Sequence, residues 1–306
     1  MLYGFDIGGT KIEIVVFDES LTPLWHKRIA TPLTSYTAFL TSLIELIREA
    51  DEKFSVQGRV GIGIPGLVNH HTGTVYSTNI AILHDKPFIR DFEHAIARSV
   101  FINNDANCFV LSEAFDDDFK SYQSVLGIIL GTGVGGGIVV NQQIISGANG
   151  CAGEVGHIRL PIDVFDILGK DIPLLKCGCG LVGCCEQYLS GRGFEWLYTH
   201  FYHYTLDAPS IIERYYQGDK SAKQHVDRYL ELLSAYLAHL IMIIDADLIV
   251  FGGGLSHFEA IYQHVPTRMS KYLLKQMVVP RLAKARYGDA GGARGAALLC
   301  LNQNNE

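Results

Sequence analysis

Apolar and polar positions divide the chain into short, regular pieces. Residues 2–7 are apolar, Gly8-Gly9-Thr10-Lys11 makes a tight turn, and 12–17 and 24–29 read as two further strands. From 35 to 50 the period changes, with Phe39, Leu43, Leu46 and Ile47 at helical spacing. Residues 60–64 return to a strand that ends in the turn signal Pro65-Gly66. A strand at 100–102 runs into the polar cluster 103–107, and 108–115 reads as a helix. The opening pattern then recurs. Residues 125–130 are apolar, Gly131-Thr132-Gly133 turns, 136–140 returns and 143–146 follows. Helices are expected over 194–244, a short buried strand at 248–251 ahead of Gly252-Gly253-Gly254, and a small-residue helix near the end of the chain.

The matching pieces, Gly4 to Thr10 and Gly127 to Gly133, predict one element used twice, a duplication at domain scale. Two such halves suggest a cleft between them, a preferred place for a ligand.

Composition narrows the function. The 306 residues are 48% hydrophobic and 19% charged, as in ordinary soluble globular proteins. A net charge of −7 argues against a nucleic-acid surface, which would be basic. The first residues enter a strand with no basic leader, so a cytoplasmic protein is expected. The most apolar stretch, 237–244, contains His239 and is too short to span a membrane.

Of seven cysteines, four crowd into residues 177–185, which reads as metal binding rather than a disulfide framework. Cys177, Cys179 and Cys184, with His157 upstream, supply four soft ligands, enough for a tetrahedral zinc site. Cys185, adjacent to Cys184, is a competing ligand. Cys108, Cys151 and Cys300 are expected to be buried apolar fillers. Glu154 and Glu186 are interleaved with the ligands, so the knot also places carboxylates. The remaining histidines are expected on the surface or as satisfied polar groups.

Three glycine turns, at 8–10, 131–133 and 252–254, each follow an apolar strand and let backbone N–H groups approach phosphate oxygens. The P-loop and Rossmann patterns are absent, and the turns are read as leading into strands. Asp6, just before the first turn, is either an Asx-turn residue or a carboxylate facing Mg²⁺. Asp105 has two readings as well. It caps the following helix, or it is a general base, with Asn104 and Asn107 beside it to hold sugar hydroxyls.

Asp6-Ile-Gly-Gly-Thr-Lys11, Asn104-Asp-Ala-Asn107, Gly131-Thr-Gly-Val-Gly-Gly-Gly137, Glu154-Val-Gly-His157 and Cys177-Gly-Cys-Gly-x-x-Gly-Cys184-x-Glu186 resemble, in order, the motifs of the ROK family of bacterial sugar kinases and repressors. The resemblance implies an actin-like ATPase fold of ribonuclease-H type, with two α/β domains around a cleft. The small domain would be 1–115, joined by a C-terminal helix at 291–306, and the large domain 116–290. It implies ATP-dependent phosphorylation of a sugar 6-hydroxyl, N-acetyl-D-glucosamine by overall likeness, with glucose, fructose, mannose or N-acetylmannosamine as alternatives. ATP phosphates would lie on Asp6, Gly8, Gly9, Thr10 and Lys11 and on Gly131, Thr132, Gly133 and Gly135, with Gly253 and Gly254 near the adenosine. Asp105 would be the base. Gly66, Asn79, Asn104, Glu154, His157 and Glu186 would hold the sugar. Mg²⁺ would come with ATP, and a structural Zn²⁺ would sit on His157, Cys177, Cys179 and Cys184. A homodimer is implied, without nucleic-acid or membrane partners. A sugar-responsive repressor of the family is the competing class. It would carry a helix-turn-helix ahead of the first turn, where Gly8 leaves no room for one.

Overall fold

In the computed structural model the structure describes residues 1–69, 72–77 and 79–301. The chain opens with β1 (Leu2–Ile7), β2 (Lys11–Phe17) and β3 (Pro23–Ala30), an antiparallel meander. Helix α1 (Tyr36–Phe54) follows, with Ser35 as N-cap accepting from the N–H of Ala38. Its stripe Phe39, Leu43, Leu46, Ile47 and Ala50 is buried, as its spacing predicts. Then come β4 (Arg59–Ile64), the hairpin β5 (Leu67–Asn69) and β6 (Thr74–Tyr76), α2 (Phe88–Ile96), β7 (Val100–Asn104) and α3 (Asp105–Ala114). The first sheet has the order β3-β2-β1-β4-β7, with β1, β4 and β7 parallel.

Strand β1 is buried on both faces, and its period of two decides what each face meets. Tyr3, Phe5 and Ile7 enter the core cluster that contains Phe39 and Leu43 of α1. On the alternate face Leu2 packs with Ala297, and Asp6 lies beside Gly292, both near the chain's end.

The second sheet repeats the first. It contains β8 (Ser124–Leu130), β9 (Val134–Val140), β10 (Gln143–Ile144), β11 (Leu248–Gly252) and β12 (Arg281–Lys284). Its order, β10-β9-β8-β11-β12, matches the first sheet position for position. Strands β8, β11 and β12 are parallel. Between β10 and β11 lie α4 (Val164–Leu168), α5 (Glu186–Leu189), α6 (Gly191–Tyr202), α7 (Ala208–Gln217) and α8 (Lys220–Ile244). Helix α9 (Ala260–Met269) precedes β12, and α10 (Gly291–Leu299) ends the described fold. Residues 302–306 of the expected terminal helix lie outside the described residues.

The chain forms two compact units. The first comprises 1–121, 137–153 and 286–306, the second 122–136 and 154–285. Residues 116–121, 137–153 and 286–290, expected in the large domain, thus group with the first unit. No helix among the described residues is long and apolar enough to cross a membrane.

Several expectations change. Helix α3 starts at Asp105, not at Cys108. Cys151 is exposed, because it sits in the 145–153 surface loop, whereas Cys108 and Cys300 are buried. His225 is buried against Phe194 and Tyr198, its Nε2 has no hydrogen-bond partner among the described residues, and burial pushes its pKa down to about 3. The third glycine turn runs into a 3-10 turn, Gly254–His257, rather than a strand.

Candidate functional site

In the first unit, the turn at 8–10 closes with the N–H of Gly8 donating to the carbonyl of Lys11 at 2.8 Å. Thr31 braces it from β3's end. Its hydroxyl donates to the carbonyl of Gly8 at 2.6 Å and its N–H to the carbonyl of Thr10 at 3.1 Å. Sequence reading missed Thr31, because the residue is distant in the chain and carries no motif. Asp6 ends the α10-facing side of β1, with the Gly292 backbone against its carboxyl group. Lys11 begins β2. Gly9 lies against the backbone of Asn79, so two expected site residues meet here.

The base candidate lies where β7 passes into α3. The capping role goes to Asn104, whose Oδ1 accepts from the N–H of Ala106 at 2.8 Å. Asn104 Nδ2 donates to the carbonyl of Gly66 at 3.0 Å, which ties the Pro65-Gly66 turn to the junction. Asp105 is the first helical residue, and its Oδ1 accepts from the N–H of Ala106 at 2.9 Å. Burial raises its carboxyl pKa above the ordinary range, and backbone N–H groups partly oppose the shift. Asn107 does not join it. The residue is 2% exposed, and its Nδ2 donates to Asn103 Oδ1 at 2.8 Å, so helical geometry turns it into the interior.

In the second unit the turn at 131–133 is a hub. The N–H of Gly131 donates to the carbonyl of Gly133 at 3.0 Å, and the N–H of Gly191, first residue of α6, donates to the carbonyl of Gly131 at 2.7 Å. Gly253 has φ of +78° and presses on Leu130, where a Cβ would stand 2.5 Å from the carbonyl carbon. The Glu186 carboxylate accepts from the N–H of Val134 at 3.1 Å. Gly156, in the 3-10 turn Val155–His157, sits so close to Val134 that any Cβ would collide with its carbonyl oxygen. The glycine of Glu154-Val-Gly-His157 is therefore a packing requirement. Thr132 is exposed, Gly135 lies inside β9 and Gly254 opens the following 3-10 turn.

The same unit gathers His157, Cys177, Cys179 and Cys184, with ligand atoms all within 4.8 Å of one another. Cys179 Sγ and Cys184 Sγ are 3.6 Å apart, and Cys177 Sγ and His157 Nδ1 are 3.6 Å apart. Tetrahedral zinc with Zn–S near 2.3 Å and Zn–N near 2.05 Å requires S···S of about 3.8 Å and S···N of about 3.6 Å. The donor set and spacing therefore fit that ion. Backbone bonds shape the knot, among them Cys177 N–H to the Leu181 carbonyl and Gly183 N–H to the Leu175 carbonyl, both 2.8 Å. Arg159 Nη1 lies 3.5 Å from Cys184 Sγ. Cys185 is buried outside the cluster, and burial pushes its thiol pKa up.

Glu186 joins the knot to the hub. One carboxylate oxygen meets Val134 N–H, and the other is 3.7 Å from Cys177 Sγ. His157 turns Nδ1 to the thiols and Nε2 toward Glu154, 3.8 Å from its Oε2, too far for a hydrogen bond.

Two sheets of one topology, each opening on a strand, glycine turn and strand, with a carboxylate at the first unit's strand–helix junction, define an actin-like α/β protein of the sugar-kinase type. The ROK family model matches residues 2–303, and the chain belongs to that family. It is 54% identical over 301 residues to N-acetyl-D-glucosamine kinase from Yersinia pseudotuberculosis serotype O:3 (strain YPIII), covering 98% of this chain and 99% of that protein. Its fold is similar to the ROK hexokinase from Thermus thermophilus, with a TM-score of 0.84, 31% identity and 97% of each chain covered. It is also similar to a ROK glucokinase from Streptomyces griseus in complex with glucose and AMPPNP, with a TM-score of 0.74, 28% identity, and 97% of this chain and 98% of that one covered.

Proposed function

We propose that this protein transfers the γ-phosphoryl group of ATP to the 6-hydroxyl of N-acetyl-D-glucosamine, giving N-acetyl-D-glucosamine 6-phosphate and ADP. The observation that carries this reading is the end-to-end 54% identity to an N-acetyl-D-glucosamine kinase. Identity to the hexokinase and the glucokinase is much lower, at 31% and 28%.

Phosphoryl transfer asks chiefly for positioning and charge neutralisation. In the first unit Asp105 takes the proton from the 6-hydroxyl as its oxygen attacks the γ-phosphorus. The new O–P bond forms while the bond to the departing ADP oxygen breaks. A raised pKa makes the Asp105 carboxylate a stronger base than an exposed aspartate. Asn104, Gly66 and Asn79 are assigned to the sugar in the same unit. In the second unit Glu154, His157 and Glu186 are assigned to its hydroxyls.

N–H groups of the turns at 8–10 and 131–133, other than those of Gly8 and Gly131 that close the turns, face phosphate oxygens, with Thr10, Lys11 and Thr132 adding donors. Gly135 extends the second turn's phosphate contact, and Gly253 and Gly254 border the nucleotide. Asp6 faces the Mg²⁺ that accompanies ATP.

His157, Cys177, Cys179 and Cys184 would hold a structural Zn²⁺, which would supply rigidity rather than take part in the reaction. With Nδ1 turned to the thiols, His157 would ligate through that atom and donate from Nε2 to the sugar in a fixed ring orientation. As in the sequence reading, a homodimer is the proposed assembly.

The test is ADP release with Mg-ATP against N-acetylglucosamine, N-acetylmannosamine, glucose, mannose and fructose. The highest kcat/KM is expected with N-acetylglucosamine. Preference for an unacetylated sugar would overturn the substrate, and no turnover with any sugar would overturn the kinase.

A further inference from the structure

Asn103, next to last in β7, is assigned no role by the motifs, yet its side chain makes three bonds around the base. Its Oδ1 accepts from the N–H of Asn104 and from Nδ2 of Asn107, both at 2.8 Å. Its Nδ2 donates to Ser146 Oγ at 3.2 Å. The atom that meets two N–H donors must be the oxygen, so the hydrogen bonds fix the amide's orientation. Asn103 thereby holds the peptide that joins it to Asn104, one residue ahead of Asp105. It also ties that peptide to the 145–153 loop, whose chain continues directly into Glu154.

Stability alone does not explain this cluster. Asn107 Oδ1 is buried with no hydrogen-bond partner among the described residues, and an apolar residue would fill the space without that penalty. Local violations of this kind concentrate at functional sites.

We infer that Asn103 is a positioning residue for phosphoryl transfer: it sets the backbone that aims Asn104 and Asp105 and does not itself touch the sugar. The inference rests on the kinase reading above. Steady-state kinetics of the wild type, Asn103→Leu, Asn103→Asp and Ser146→Ala test it, with the sugar and ATP varied separately.

Asn103→Leu keeps the branched outline of the side chain and removes all three bonds, and it is expected to lower kcat about tenfold or more. KM for ATP should move less than about twofold, because no nucleotide contact is lost. Asn103→Asp keeps both accepting bonds and is expected to recover most of the turnover, a rescue that general destabilisation would not give. Wild-type kcat in Asn103→Leu, or an Asn103→Asp as poor as Asn103→Leu, overturns the inference. Should Asn103→Leu fail to fold, Ser146→Ala decides. A fall in kcat of about two- to fivefold supports the role, and unchanged kinetics overturn it. A wild type inactive on every sugar would instead be the failure of the kinase reading.

Discussion

The turns at 8–10 and 131–133 follow matching strands in sheets of matching order, yet different structures brace them. The first rests on a threonine from the neighbouring strand and on the backbone of Asn79. The second is gripped by Gly191, Gly253, Gly156 and Glu186, and Glu186 reaches on to the cysteine knot. The duplicated element kept its backbone and diverged in its supports. One turn thereby answers to a local hydroxyl, and the other to a cysteine cluster some fifty residues further along the chain.

The largest expected effect falls on the proposed base of the first unit. Asp105→Asn should lower kcat by about 10²–10⁴-fold while the sugar still binds, as kinetics and calorimetry would show. Stability should move the other way. A carboxyl whose native pKa is raised favours the protonated fold, so its stabilising contribution is complete at low pH and lost as pH rises through that raised value. The Asn variant should therefore match the wild type in Tm at acidic pH and equal or exceed it at neutral pH. An Asn variant less stable than the wild type only at neutral pH would refute a carboxylate that is costly to ionise.

Metal removal comes next. The purified protein should carry about one zinc per chain, lost with Cys179→Ser. That variant should lose about 10–100-fold in kcat/KM for the sugar. It should also raise KM for ATP, because Glu186 links Cys177 to the second turn. Full activity in metal-free protein would break the distinction between the turns.

Glu186→Gln sharpens the same point with the metal in place. Replacing the carboxylate that meets Val134 N–H should cost about tenfold, spread over both substrates. An effect on the sugar alone would detach Glu186 from the turn. The smallest effect is Thr31→Val, which removes one neutral bond to the first turn and should raise KM for ATP by less than about fivefold, with zinc content unchanged.

Periodicity made much of this fold legible. The α1 stripe, the buried β1 and the repeated strand–turn–strand all follow from residue spacing, and the gathering of His157 with Cys177, Cys179 and Cys184 was legible in theirs. The chain between Gly66 and Val100 was not legible, because strands as short as β5 and β6 leave too few residues for a period to emerge. Long-range braces were hidden for another reason. Thr31, Gly156, Gly191 and Asn103 act through contacts with particular backbone atoms, and nothing local in their sequence announces such a partner. The cap illustrates the limit. Asn104 and Asp105 are both good caps by type, and only the geometry gives the role to Asn104 and leaves Asp105 available as a base.

The most direct test of the central claim is to find where the phosphate goes. Proton–phosphorus correlation NMR on a reaction of N-acetylglucosamine with Mg-ATP, run with the wild type and with Asp105→Asn, would show it. Phosphorus coupled to the two C6 protons, formed by the wild type and nearly absent with the variant, is the predicted result. Phosphate at another carbon, or equal product from both proteins, would contradict the account.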